Sequence, residues 1–501
     1  MTATALAIYA VLLVAAAAAV WRHPIVALYA FVVGLAAHNL VMSLLYGAGL
    51  QGRSLEAVQA WKEALLAVAC ARVASDAWRS RRLPFRPAAA DALALAFAGI
   101  VVLYAVIPQS VLGGRAGAEA VLQGLRHALI PVSAYLLGRS ISLTAVQLRA
   151  VGWTIVAAAA AVAAGGLIEE YAVTVEWWRE SGAVGYFNDQ LGFDYHGPGR
   201  LPDNFAFNSS EGVFRRLVSS FVSPLATAFM CVVALLLAAS PGLAPARRRG
   251  LLLTLAAICS AGLLFTLSRS SILALAGGLL VLAAVRRRPR IALLGAATLA
   301  AGIAFAAAFT HVAPRTHFFE EDLAYQREQA RRKGDLPSGS GVLDTGEPSI
   351  KSHLTNLRDG LETVARHPQG YGLGNAGATA SRFDVPLRAG ESNYTELGVE
   401  TGLAGLALFV AWNLALLAAL GRTARRVSAE AVRWAAGGVA ASLAAVLALA
   451  IQTDAYGVPW LAYCLWWLAG ALVSAPSEAS ATVGARTAKD RPVRSLFLGS
   501  S

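Results

Sequence analysis

Charge is what this sequence has least of. Only 14% of its 501 residues are Asp, Glu, Lys or Arg, against about a quarter in soluble domains. A chain this poor in charge and 57% hydrophobic, with a mean hydropathy of +0.56, cannot cover itself with a water-facing surface, which excludes a string of ordinary soluble domains. Cysteine is scarce as well. Cys70, Cys231, Cys259 and Cys464 all sit inside apolar runs. No pair has metal-ligand spacing, and that depth argues against a disulfide framework. Alternation of polar and apolar residues is missing from the hydrophobic segments, which excludes a transmembrane β-barrel.

What is present is a succession of continuous Ala- and Leu-rich runs, each near the roughly 20 residues that cross a bilayer as a helix. They fall at about 3–20, 25–46, 57–78, 88–107, 121–138, 150–168, 217–239, 250–267, 270–285, 291–310, 396–420, 430–452 and 458–474. The expected fold is all-α, a polytopic membrane bundle of about 12–13 transmembrane helices. The first run lacks a basic flank and another span follows at once, so it reads as a retained helix and not a signal peptide. The third run, with Lys62, Glu63 and Arg72 inside it, is the least apolar, and its charges line a cavity or snorkel.

The net charge of +12 points to topology and not to nucleic acid. Arg79, Arg81, Arg82 and Arg86, then Arg247–Arg249, then Arg286–Arg288 with Arg290, then Arg422, Arg425 and Arg426 all fall on one side of the spans. Cytoplasmic loops carry that bias. The organisation that follows is 1–168 as N-terminal spans, 169–216 as a loop, 217–310 as central spans, 311–395 as a large loop with short surface helices, 396–475 as C-terminal spans, and 476–501 as a disordered cytoplasmic tail. Both long loops face away from the basic side, so the polar chemistry is expected outside the inner membrane. Within the second, the stretch from Arg331 to Pro348 reads as disordered.

Four clusters carry candidate chemistry. Arg215 and Arg216 are expected at the outer end of a helix running into the membrane. Guanidinium groups suit phosphate oxygens through paired planar donors, and the positive-inside bias disfavours them on that side. A headgroup anchor is the plain structural reading. Thr266-Leu267-Ser268-Arg269-Ser270-Ser271 leaves almost no loop between two spans, which puts Arg269 at the membrane boundary, where a charge usually faces a wet cavity. A snorkelling cap is the bland option there. The third cluster runs from Arg358 on an amphipathic surface helix into His367-Pro368-Gln369-Gly370-Tyr371-Gly372-Leu373-Gly374-Asn375. Glycines there let backbone approach a ligand and can form an anion nest. The same pattern is also an ordinary flexible turn, and it has neither a P-loop ending nor a preceding Rossmann strand. The fourth is Glu391-Ser392-Asn393-Tyr394-Thr395-Glu396, with Glu400 one turn on. Glu391 reads equally as a base or a helix-capping acid, and Glu396 as a capping acid. His196, His311, His317, His353 and His367 are not spaced as metal ligands.

Across 210–415 these pieces, in this order, resemble the O-antigen ligase and polymerase superfamily. They are the Arg-Leu-x-Ser-Ser-x-x-Ser-Pro stretch from Arg216, the Ser-Arg-Ser hairpin, Arg358 leading into Pro-x-Gly-Tyr-Gly-Leu-Gly, and Tyr-x-Glu-Leu-x-x-Glu-x-Gly-Leu-x-Gly from Tyr394. The resemblance implies a GT-C-like membrane glycosyltransferase of surface polysaccharide, with no cofactor and no metal. It implies a polyprenyl-diphosphate-linked glycan donor, a glycan or lipid A core acceptor, lipid around it and a chain-length regulator as a partner. Arg215, Arg216, Arg269 and Arg358 are then the diphosphate-binding set. Glu391 and Arg269 are the catalytic pair, with His367, Gly370, Gly372, Gly374 and Tyr394 near substrate. Many ligases have a His-Asn pair where this chain reads Glu391-Ser392, and an acid there looks more like the polymerase branch. A flippase of lipid-linked glycans is the alternative from another class. A sensor and a metal-dependent glycosyltransferase fit less well, the latter for want of an early loop carboxylate pair.

Overall fold

In lipid every backbone N–H and C=O must find a partner within the chain, and a helix satisfies this segment by segment. The computed structural model describes residues 2–240, 242, 243, 245–333, 348–390 and 392–473, and those residues form a helical bundle. Its long helices are α1 (Thr2–Arg22), α2 (Ile25–Gly47), α3 (Trp61–Ser80), α4 (Ala89–Val106), α5 (Ala118–Ser140), α6 (Ala145–Ala172), α7 (Pro224–Ala239), α8 (Arg249–Phe265), α9 (Arg269–Arg286) and α10 (Arg290–Val312). Two loop helices follow, α11 (Glu320–Lys333) and α12 (Pro348–Arg366), then α13 (Asn393–Arg426), α14 (Glu430–Leu449) and α15 (Pro459–Val473). Among the described residues, nine of these helices are long and apolar enough to cross a membrane, and α7, α8 and α15 are shorter apolar helices. Every apolar run in the sequence is therefore a helix. Glu391, most of the stretch from Arg331 to Pro348, and the tail from 476 lie outside the described residues.

Two runs begin later than their hydropathy suggests. The third breaks at Ala60 into a short turn of helix, Arg53–Gln59, and α3. Its charges find partners within the protein: Lys62 Nζ donates to the Gln59 carbonyl at 2.8 Å, Glu63 pairs with Arg126 of α5, and Arg72 pairs with Asp76. The seventh run starts at Pro224 and not at 217, because Ser219 and Val222 take left-handed φ near 52°. Ser223 then caps the helix by accepting the Ala226 N–H, with Pro224 at the first helical position, where its missing N–H is not needed.

Helices meet closely where glycine removes a side chain, the usual device in lipid. A Cβ at Gly138 of α5 would lie 2.0 Å from the Trp467 carbonyl oxygen of α15, and one at Gly470 would lie 2.1 Å from that of Tyr135. Beside this contact Arg139 and Asp91, each 3% exposed, form a two-point ion pair, Nε to Oδ1 at 2.7 Å and Nη2 to Oδ2 at 2.9 Å. The Tyr135 hydroxyl donates to the same carboxylate at 2.6 Å.

The two ends of the bundle differ. At one end the arginine-rich loops gather, with Arg286 Nη1 donating to the Ala424 carbonyl at 3.1 Å. At the other the two long hydrophilic segments pack together. Strands β1 (Ala206–Ser209) and β2 (Gly212–Arg215) form a hairpin with Ala206 opposite Arg215. The strand β3 (Arg315–Thr316) adds antiparallel to β2 with Phe214 opposite Arg315. Asp322 of α11 accepts the Gly199 N–H at 2.7 Å, and His196 stacks on Tyr325 at 3.4 Å.

Removing one member of a buried, hydrogen-bonded charge pair strands the other and costs about 3–5 kcal/mol. Arg139→Met is therefore expected to lower stability by about that amount, read from denaturation of the purified protein in detergent. A loss under about 1 kcal/mol would show that Asp91 finds another partner.

Candidate active site

Val213 and Phe214 favour strand, so the segment carrying Arg215 and Arg216 is the end of a hairpin and not the outer turn of a helix. The hairpin sorts the two arginines. Arg215 is 3% exposed; it pairs with Glu169 of α6 and donates to the Val173 and Glu170 carbonyls. Glu169 also accepts the Trp178 indole N–H at 2.6 Å. Arg215 thus pins the hairpin to the end of α6. Arg216 is half-exposed, and its Nε donates to the Thr266 carbonyl at 2.8 Å. One residue on, the Leu217 N–H donates to the Phe265 carbonyl at 3.1 Å. Arg216 therefore lies against the tight turn before α9, whose first residue is the half-exposed Arg269. Within that turn the Ser268 and Ser271 hydroxyls are 2.7 Å apart. Two cations more than fifty positions apart in sequence flank one turn, next to a helix N-terminus whose dipole favours anions.

Arg358 sits on the exposed side of α12. That helix leans on α13 through Gly360 and Val364: a Cβ at Gly360 would stand 2.7 Å from Thr395 Cβ, and one at Gly398 would stand 2.7 Å from Val364 Cγ2.

The glycine-rich segment is a clasp. Helix α13 is interrupted at Gly402, at φ 68° and ψ −177°. The Tyr371 N–H donates to the Val399 carbonyl at 2.6 Å, the Gly372 N–H to that of Glu400 at 3.1 Å, and the Leu403 N–H to that of Pro368 at 2.8 Å. A Cβ at Gly370 would lie 2.5 Å from the Gly402 nitrogen, so both positions need glycine. The Gly370 N–H donates to His367 and that of Gly374 to Glu400 Oε1 at 2.8 Å. The N–H groups of all three glycines, Gly370, Gly372 and Gly374, are engaged within the protein, so they serve the packing of this segment against α13. His367 stacks on Tyr371 at 3.9 Å and its Nε2 meets the Leu112 carbonyl at 3.0 Å. Tyr394 turns the other way, its hydroxyl donating to Leu447 at 2.9 Å.

Beneath the clasp lies a narrow cavity lined among others by His127, Asn393, Glu396, Glu400, Phe409 and Tyr456. His127 Nε2 stands 3.3 Å from Asp454 Oδ1, the latter in the short loop before α15. The Asn393 amide donates to Asp454 Oδ1 at 2.6 Å and to Glu396 Oε2 at 3.2 Å. Its own oxygen accepts the Tyr456 N–H at 3.2 Å, and Gly457 donates to Asp454 at 2.7 Å. Burial alone would raise the Asp454 carboxyl, but His127, Asn393 and the Gly457 N–H hold it below the ordinary aspartate value. Among the described residues no group of three or more His, Cys, Asp or Glu side chains is arranged to hold a metal ion.

Sequence reading passed over His127 and Asp454 and gave Glu396 a capping role. The signal was there for two of them: an ionisable residue within an apolar span, or between the last two, is a site candidate by default. Glu391 precedes this pocket in sequence and is not among the described residues.

Residues 254–410 match the family model described as O-antigen ligase. No curated protein matches the chain. The matched segment holds Arg269, Arg358, the clasp and the α13 acids, while Arg216, His127 and Asp454 lie outside it.

A carboxyl with a depressed folded value contributes stability above the unfolded value of about 4 and loses it as pH falls through the folded one. Asp454→Asn is expected to lower stability at pH 7 and to flatten the acid limb of the stability profile below about pH 5. An unchanged acid limb would mean that Asp454 gains nothing from His127.

Proposed function

We propose that this chain, a member of the O-antigen ligase superfamily through its 254–410 segment, transfers or polymerises a polyprenyl-diphosphate-linked glycan on the outer face of the inner membrane. An O-antigen ligase/polymerase-type membrane glycosyltransferase joins a lipid-linked glycan donor to an acceptor, and what this chain's residues contribute follows from their placement. The observation that carries the reading is the bond from Arg216 to the Thr266 carbonyl, which brings Arg216 to the turn of Arg269 on the end opposite the basic loops. That end is the outside by the positive-inside rule.

In this reading Arg216 and Arg269 grip the diphosphate, with Arg358 of α12 as the third cation, while Arg215 holds the hairpin that presents Arg216. The bond from the anomeric carbon to the diphosphate breaks as an acceptor hydroxyl attacks that carbon. Negative charge then grows on the diphosphate, and fixed guanidinium groups stabilise it most in the transition state. No metal takes part in this reading. The acceptor's proton goes to an acid near the start of α13, either Glu396 of that helix or Glu391, which lies two residues before it in sequence. The acid at 391, in place of the ligase-like histidine, favours polymerisation over transfer to a lipid A core. A chain-length regulator is then an expected partner.

Purified protein in liposomes, supplied with a lipid-diphosphate-linked glycan, tests this. The wild type is expected to build a ladder of longer lipid-linked glycans, and Arg269→Ala to slow it by about 100-fold, the effect of removing one fixed charge contact. A single product that needs an added core acceptor would mean a ligase. Donor lipid crossing the bilayer with no new glycan would overturn the proposal in favour of a flippase.

A further inference from the structure

We propose that the basic end of the bundle holds a site for the phosphate of an anionic phospholipid, formed by Arg286, Arg288 and Arg433 where α9, α13 and α14 meet. The site is at the opposite end from the α9 turn of Arg269, and it stands or falls independently of the glycosyltransferase reading.

A topological signal asks only for exposed positive charge beside the membrane. Arg79, Arg82, Arg287 and Arg426 meet that description. Arg286 and Arg433 do not, being half-buried between helices. The Nε of each is enclosed and has no hydrogen-bond partner. A ligand would meet the open parts of these side chains; the enclosed Nε atoms record how little the protein itself satisfies them.

Packing sets Arg286 in place. Its stem lies over Gly437 of α14, where a Cβ would stand 3.0 Å from the Arg286 Cδ. Its Nη1 donates to the Ala424 carbonyl, near the end of α13, at 3.1 Å. Arg433 stands one helical turn before Gly437 and so on the same face of α14. Among the described residues, the charged groups acting on Arg286 are Arg433, Arg288 and Glu430. Three guanidinium groups thus face one carboxylate. That carboxylate lies over Gly242, where a Cβ would stand 3.6 Å from Glu430 Oε1. Arg433 is also close to the start of α14, where the helix dipole favours anions over cations. Like charges gathered partly out of water are unfavourable, and a bound anion relieves them.

Guanidinium forks match phosphate oxygens through paired planar donors. Position selects a lipid phosphate. Helices α9 and α10 end and begin at Arg286 and Arg290, so the short link between them keeps Arg286 and Arg288 at the ends of two spans. Within a turn of Arg290, Leu293 and Leu294 are 70% and 52% exposed, the level at which acyl chains begin. The arginines therefore stand at headgroup depth. The positive-inside rule makes this side cytoplasmic, and basic pockets between spans on that side suit anionic head groups.

The test titrates the purified full-length protein in detergent with phosphatidylglycerol, phosphatidylcholine, inorganic phosphate or polyglutamate. Retained lipid is counted by native mass spectrometry, and stability is followed by thermal unfolding. The wild type is expected to retain phosphatidylglycerol in preference to phosphatidylcholine and to unfold at higher temperature with it, while the two soluble anions leave the transition where it was. One basic residue beside an anionic head group is worth about fivefold in affinity. Arg433→Gln and Arg288→Gln are each expected to weaken phosphatidylglycerol binding by about that factor. The double variant Arg79→Gln/Arg82→Gln, which removes charge from a different basic loop, is expected to bind as wild type does. Should Arg433→Gln fail to fold, Arg288→Gln decides, since Arg288 is exposed. Equal retention of the two lipids overturns the proposal, because the head group is then not recognised. A loss as large in the Arg79→Gln/Arg82→Gln protein also overturns it, in favour of diffuse surface charge. Stabilisation by inorganic phosphate or polyglutamate that matches the lipid's would replace the lipid with a free anion or an acidic partner protein.

Discussion

The interruption of α13 at Gly402 is the joint on which the rest of this end of the protein depends. A helix that breaks leaves carbonyls on one side and an N–H on the other without their intrahelical partners, and in a membrane protein those groups must be satisfied inside the chain. Here the carbonyls of Val399 and Glu400 and the N–H of Leu403 all turn to the segment from Pro368 to Gly372. The break and the clasp therefore need each other. Glycine is required on both sides because backbone meets backbone, with a Cβ at Gly402 placed 2.6 Å from the Pro368 oxygen. Once the joint is made, the first turns of α13 are fixed against the loop, and Asn393, Glu396 and Glu400 are carried into one pocket.

The clasp also ties the large loop to the first half of the chain. The Asn375 amide reaches Gln109 at 2.9 Å and its oxygen accepts the Arg115 N–H at 2.7 Å, while Arg388 lies over Tyr371 at 4.0 Å and donates to the Gly113 carbonyl at 3.1 Å. These contacts hold the end of α4 and the start of α5 beside α13. That is how His127, nearly 270 residues before Glu396, comes to share its cavity. The hairpin makes the matching connection elsewhere: Arg215, buried on Glu169, sets the strand so that Arg216 falls on the turn of Arg269.

How much of this the sequence reveals depends on the range of the cause. The helices are legible because each is decided locally: an apolar run of span length has no other way to satisfy its backbone in lipid. The turn at Ser268–Ser270 is legible for the same reason, since two spans meet with nothing between them. The hairpin was hidden because Arg215 and Arg216 directly precede the apolar run from Leu217 and so read as the outer end of a membrane helix, and only pairing with Arg315 and Thr316, a hundred residues later, shows the segment as sheet. The glycines announced an unusual backbone but not its partner, so an anion nest and a packing clasp read alike. His127 and Asp454 were visible as charges out of place, yet neither has meaning until α5, α13 and the loop before α15 are assembled. Glu391 remains outside the described residues, and its part stays with the resemblance that suggested it.

The segment that matches the family model, 254–410, holds Arg269, the clasp and Glu396, but several of their partners come from outside it. Arg216 comes from the hairpin before it, His127 from α5, and Asp454 from the loop after it. A cation and an acid on a single membrane helix would meet the same part of a substrate and partly neutralise one another. Placing the arginines at the α9 turn and the acids at the start of α13 keeps the two charges on separate elements. The leaving group and the attacking hydroxyl also occupy different places in the reaction: one gathers negative charge while the other loses a proton. In the proposed reaction the cations at the α9 turn serve the first and an acid near the start of α13 the second. The Gly402 joint fixes the first turns of α13, and Arg215 fixes the hairpin that carries Arg216.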